Sequence, residues 1–69
     1  MAKDLIDLDG VVEATERNLF IVNTDSGITV KCTLSGKIRM HKIRVVVADR
    51  VQIEVSPYDL TKGRIIKRL

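Results

Sequence analysis

Aromatic side chains are nearly absent from this chain: it has no tryptophan, one phenylalanine (Phe20) and one tyrosine (Tyr58). Proteins that hold single-stranded nucleic acid regardless of sequence stack bases on several rings, each contributing about 1–3 kcal/mol, and two rings make no such platform. The single cysteine, Cys32, excludes an internal disulfide and fits a reducing compartment. With one histidine, His41, no Cys/His ligand set exists, and neither a metal nor a cofactor is expected. There is no Gly-rich phosphate loop and no histidine paired with a nucleophile, so catalysis finds no support. No apolar run approaches the roughly 20 residues that cross a bilayer, and acids stand where a signal peptide has its apolar core. The expected setting is soluble and cytoplasmic, or an organellar stroma or matrix after loss of a transit peptide, with no membrane partner.

Acids are missing from one long stretch: between Asp25 and Asp49 there is no carboxylate side chain, while Lys31, Lys37, Arg39, Lys42 and Arg44 fall inside it. The net charge of +3 hides this asymmetry. Residues 1–30 hold two Lys/Arg against six Asp/Glu, and residues 31–69 hold ten against three. Such separation suits a molecule that docks one face on a polyanion. Each cation taken singly reads as a solvated surface residue; the acid-free cluster is harder to dismiss.

What the chain does have is Val, Ile and Leu, within a hydrophobic content of 45%. Branched side chains pack well on a pleated surface, so a β-rich single domain is expected. Residues 1–5 read as a mobile arm and residues 6–69 as one domain. The first strand carries Leu8, Val12 and Ala14 on one face, with Gly10 permitting a bend or close backbone approach. Its acids Asp7, Asp9 and Glu13 alternate along the wet face. A turn over Thr15–Asn18 leads to a second strand, Leu19–Thr24, and Asp25-Ser26-Gly27 fits a three-residue hairpin loop. The third strand turns Ile28, Val30, Cys32 and Leu34 to one side, which makes Cys32 a buried apolar residue. Ser35 stands where a helix N-cap would, ahead of one helical turn through Met40. Ile38, Met40 and Ile43 are the candidate anchors of the connection that follows. Val51, Ile53 and Val55 point inward along the fourth strand. Residues 56–63 read as a loop, because proline cannot continue a central ladder, and residues 64–69 as a final strand. Five strands with a short helical turn between the third and fourth make an all-β, five-stranded OB-fold barrel, a scaffold used for oligonucleotides.

The leading binding candidates are Arg39 and Arg44, whose planar guanidinium forks match phosphate oxygens, with Lys37 and Lys42 as longer-reach charges. Lys62, Arg64, Lys67 and Arg68 form a second basic group, which merges with the first if the last strand runs beside the connection. His41 and Tyr58 complete the candidate set, each with a bland reading as an exposed or loop-packed side chain. Folded RNA, with defined shape and dense phosphate, fits this surface better than an extended strand.

The run SGKIRMHKIRVVVADRVQIEVSPYDLTKGRI over residues 35–65 closely resembles bacterial and organellar translation initiation factor one. SGKIR, the following IR, the ADRV and SPYDLTKGRI carry the resemblance, and with the opening MAK it covers nearly the whole chain. The resemblance implies an OB fold of S1-like type and a non-catalytic factor. It also implies occupancy of the decoding A site of the small ribosomal subunit, where the family contacts ribosomal RNA and a ribosomal protein, blocks premature tRNA entry and works with the other initiation factors. Carried over by motif, Lys37, Arg39 and Arg44 match the family's RNA-contacting connection and Arg64 a basic position of its last strand. Lys42 stands where an aromatic is common, Ala48 replaces a usual glycine, and the first hairpin is one residue shorter. Two other readings stand beside this one: a general RNA chaperone resembling cold-shock proteins, and an assembly subunit pairing exposed strand edges into rings. Lys- and Arg-bearing edges disfavour the latter, and a monomer is expected.

Overall fold

Along β4 (Arg50–Ser56), Val51, Ile53 and Val55 are buried while Arg50, Gln52 and Glu54 face outward, the period-two pattern of a half-buried strand. The computed structural model describes residues 5–69, so only Leu5 of the expected amino-terminal arm lies within the described residues. The other elements are β1 (Ile6–Glu16), β2 (Leu19–Thr24), β3 (Thr29–Leu34), the helix α1 (Gly36–Met40) and β5 (Asp59–Arg68). The strands close into a barrel in the order β1-β2-β3-β5-β4. All pairs are antiparallel except β3 with β5, which run parallel with Lys31 beside Lys62 and Leu34 beside Ile65. α1 lies between β3 and β4, as the all-β OB expectation requires.

The core is Val12, Val22, Val30, Cys32, Ile38, Val45, Val51, Ile53, Val55 and Ile65. All but Cys32 are β-branched, which is the physical basis of the strand-rich reading. Gly10 is buried where β1 passes β2: a Cβ there would lie 2.6 Å from the Asn23 oxygen and 2.8 Å from the Thr24 Cα. The close approach expected of that glycine is therefore real. Gly27 takes the left-handed φ of 93° that its hairpin needs.

The structure departs from the sequence reading in four places. A register shift between Val12 and Ala14 throws Ala14 outward, so it is exposed instead of sharing the face of Leu8 and Val12. β1 continues through Thr15 and Glu16, leaving Arg17-Asn18 as the turn. Thr61, Lys62 and Gly63 are not loop but part of β5, which begins at Asp59. Ile28 precedes β3 at the hairpin and is exposed, so the inward face of that strand starts at Val30.

Two ends of the barrel result. At one, β1 finishes, β2 starts, β3 runs into α1, residues 41–49 cross, and β5 finishes; this is the helical end. At the other lie the Asp25–Gly27 turn and the Pro57-Tyr58 turn.

Candidate nucleic-acid interface

Local chemistry fixes α1 on the helical end. The Ser35 hydroxyl accepts from the Ile38 N–H at 3.2 Å, capping a helix start, and the Ser35 N–H donates to the Ile65 carbonyl at 2.9 Å, joining that cap to β5. Ile38 is the peg, 1% exposed in the core. Met40, read as a second anchor, is 72% exposed, and Ile43 is exposed as well. Their place is taken by Val45, which is buried. Five helical residues define one inward position only, and that position falls on Ile38.

The helix ends in a Schellman arrangement. The Lys42 N–H donates to the Arg39 carbonyl and the Ile43 N–H to the Ile38 carbonyl, each at 3.1 Å, with Lys42 in the left-handed region at φ 53°. Lys42 thus has a backbone role in addition to its charge. Farther on, the Asp49 N–H donates to the Val46 carbonyl at 3.1 Å while Ala48 holds φ 82°, the third-position geometry of a type II turn. The Asp49 carboxylate accepts the Val46 N–H at 3.0 Å, and the Ala48 N–H donates to the Val12 carbonyl at 2.8 Å. Those bonds stitch the basic connection to β1.

Lys37, Arg39, His41, Lys42 and Arg44 are all exposed on this end. Arg68 joins them: its Nη1 donates to the Arg44 carbonyl at 3.0 Å. Lys67 stands one residue before it at the same end of β5, beside Gln52. Arg64 is engaged otherwise, its Nε donating to Glu54 of the neighbouring strand at 2.9 Å with Nη2 on the same oxygen. Lys62 lies near the start of β5 beside Lys31. Tyr58 is 90% exposed at the opposite end, separated from the arginines by most of β5. The ten candidates therefore do not form one cluster: seven gather on the helical end, Lys62 and Arg64 lie on the barrel wall, and Tyr58 lies at the far turn.

One residue that belongs with the cluster was not among the candidates. Arg17, from the acidic half of the chain, sits in the β1–β2 turn at φ 52°. It lines two adjoining concavities, one with Arg44, Phe20 and Val45–Val47, the other with Arg39, Phe20, Asn18 and Leu34. The signal that finds it is topological: the first turn and the connection after the third strand must open on the same barrel end. Phe20 is half-buried between them, packed on the core and offering part of its ring. Cys32 is enclosed, and desolvation pushes its thiol up to about 12, so it is unreactive at neutral pH. Among the described residues no group of three His, Cys, Asp or Glu is placed to hold a metal. No described helix is long and apolar enough to cross a membrane.

Residues 7–69 match the family model of translation initiation factor 1A / IF-1. The chain is 50% identical over 66 residues to translation initiation factor IF-1 of Oenococcus oeni, covering 94% of this chain and 92% of that protein. Its fold is similar to the solution structure of translation initiation factor IF-1 from the Wolbachia endosymbiont of Brugia malayi, with a TM-score of 0.82 and 43% identity. That alignment covers 97% of this chain and 80% of the other. A barrel of the same shape forms 23% of YjeQ from Thermotoga maritima, with a TM-score of 0.77 and 28% identity over 93% of this chain.

Proposed function

The chain belongs to the translation initiation factor 1A / IF-1 family, and from that premise we propose that it acts without catalysis by occupying the decoding A site of the small ribosomal subunit. Its helical end lies on ribosomal RNA beside a ribosomal protein, excludes tRNA sterically and cooperates with the other initiation factors in the cytoplasm or an organelle. The observation that carries this reading is the convergence of Arg17, Arg39 and Arg44 on two concavities that share Phe20. Guanidinium forks around a partly exposed ring offer phosphate oxygens bidentate donors and a base face a stacking surface.

The RNA-chaperone reading needs a run of exposed rings, whereas Phe20 is half-buried and Tyr58 stands at the other end of the barrel. The ring-assembly reading needs an open strand edge, and the described strands close on themselves through β1 and β4. The decisive experiment is small-subunit binding as a function of salt. Contact with about five phosphates gives a slope of roughly 0.7–0.9 log units for each. Replacing Arg39 and Arg44 together with Ala is expected to cost about 3–6 kcal/mol of affinity, since charge-assisted bonds contribute roughly 1.5–3 each. Salt-independent binding, or wild-type affinity in the double variant, would overturn the proposal.

A further inference from the structure

On the outer wall of the barrel, Lys31 of β3 and Lys62 of β5 are parallel register partners. Adjacent strands lie about 4.8 Å apart, so the two stems start side by side on the same face. Like charges directly opposite one another oppose folding, and among the described residues neither lysine is in an ion pair. Lys31 is flanked on its other side by Ile21. Asp59, three residues before Lys62, senses that lysine only as the least of the causes that lower its pKa, the first being its hydrogen bond from Thr61. The lysines line one groove together with Leu19, Thr33 and Gly63. Gly63 is fixed there by packing, since a Cβ would lie 2.8 Å from Val55 Cγ1 and 2.9 Å from the Glu54 oxygen. That missing side chain would point into the core, so the outward character of the groove comes from the two lysines, neither of which is in an ion pair among the described residues.

The geometry points to a second anion site in which Lys31 and Lys62 clamp one RNA backbone phosphate, with the Thr33 hydroxyl in the same groove. The occupant is nucleic acid by charge complementarity: Arg64, the neighbour of Thr33 across the same strand pair, is already ion-paired with Glu54, whereas neither lysine of this pair is in an ion pair among the described residues. The site rests on the ribosomal reading above and extends its footprint from the helical end down the β3–β5 wall.

The test compares wild type, Lys31→Gln/Lys62→Gln and Arg39→Ala/Arg44→Ala for small-subunit affinity across salt, with thermal unfolding of each. Loss of one phosphate contact lowers the salt slope of the lysine double variant by about 0.7–0.9 and its affinity about five-fold at roughly 0.15 M salt. Its melting temperature is expected to hold or rise, because a like-charge pair has gone. Unchanged slope with raised melting temperature overturns the clamp while the ribosomal reading survives; absence of wild-type binding overturns both. A cleavage reagent tethered at Thr33→Cys, with buried Cys32 inert, is expected to cut ribosomal RNA. A slope change without RNA cuts would assign the groove to an acidic protein segment and overturn the nucleic-acid assignment.

Discussion

Glu54 and Arg64 are cross-strand partners on β4 and β5, and the arginine gives Glu54 both its Nε and one Nη. The acid's side chain is 17% exposed and the arginine's 52%, so the carboxylate is held close to the wall while part of the guanidinium stays open. A basic residue that the family resemblance assigns to RNA is thereby half occupied within the protein. The pair acts as a brake on one cation of the basic surface.

Glu54→Gln is accordingly predicted to release that brake. The free guanidinium should tighten small-subunit binding and steepen its salt dependence by up to about 0.7–0.9. The lost pair should lower stability by no more than about 1 kcal/mol, the usual limit for a part-exposed ion pair. Binding titrations at several salt concentrations, beside urea unfolding, check both halves. Weaker binding in this variant would mean that Glu54 positions Arg64 for its contact.

Arg17 spends backbone energy to be where it is. A positive φ at the first position of a two-residue hairpin loop favours glycine, and a non-glycine residue there carries about 1 kcal/mol of strain. Arg17→Gly should therefore stabilise the fold by several tenths of a kcal/mol after allowance for the freer unfolded chain, yet weaken small-subunit binding. Arg17→Ala should weaken binding equally without the stability gain. Binding that survives both changes would remove Arg17 from the interface.

Lys42 and Ala48 separate strain from charge on a single loop. Both hold positive φ, at 53° and 82°, in positions where glycine is the low-energy residue. Each change to Gly is predicted to stabilise by about 0.5–1 kcal/mol, raising the melting temperature by roughly 2–8 °C for a domain of this size. The effects on affinity should differ: Ala48→Gly leaves it unchanged, and Lys42→Gly lowers it. A Lys42→Gly variant less stable than wild type would show that the left-handed helix end is not populated in solution.

The fold was largely legible in the sequence because its strongest signals are local. Alternation identified β3 and β4, the flanking turns bounded β2, and the Ser35 cap placed α1 to the residue. The misplaced pieces are those where a distant contact decides. Thr61-Lys62-Gly63 has turn composition, yet Gly63 is needed because Val55 and Val30 press against it inside the barrel. The bulge after Val12 leaves no mark in the alternation until Ala14 is seen outside. Val45 is buried while Val46 and Val47 beside it are exposed, a choice made by the closing of the connection over the barrel and not by the side chains themselves. The cations of the acid-free run were readable as a group. Arg17 was not, because it lies in the acidic half of the chain while the cations it meets in space, Arg39 and Arg44, come from the other half.

Asp25 and Arg50 supply the pH dependence. Two parallel hydrogen bonds, 3.2 and 3.0 Å, join the Arg50 guanidinium to the carboxylate. The bond from Arg50 holds the Asp25 pKa below its ordinary 3.8. A carboxylate whose pKa is depressed on folding stabilises the fold fully above the unfolded value and loses that contribution as pH falls through the folded one. The urea midpoint of wild type should therefore exceed that of Asp25→Asn by a constant amount from about pH 7 down to about 5, and the gap should close below about pH 4. Because both side chains are about half exposed, at 49% for the arginine and 58% for the acid, salt should shrink the gap at neutral pH as well. Asp59, lowered first by the Thr61 hydroxyl and then by the Thr61 N–H, titrates in the same direction, so Asp59→Asn should show the same closing gap with little salt sensitivity. A gap for Asp25→Asn that stays constant as pH falls well below the unfolded value of 3.8 would mean that the substitution acts through the hairpin backbone and not through the ion pair.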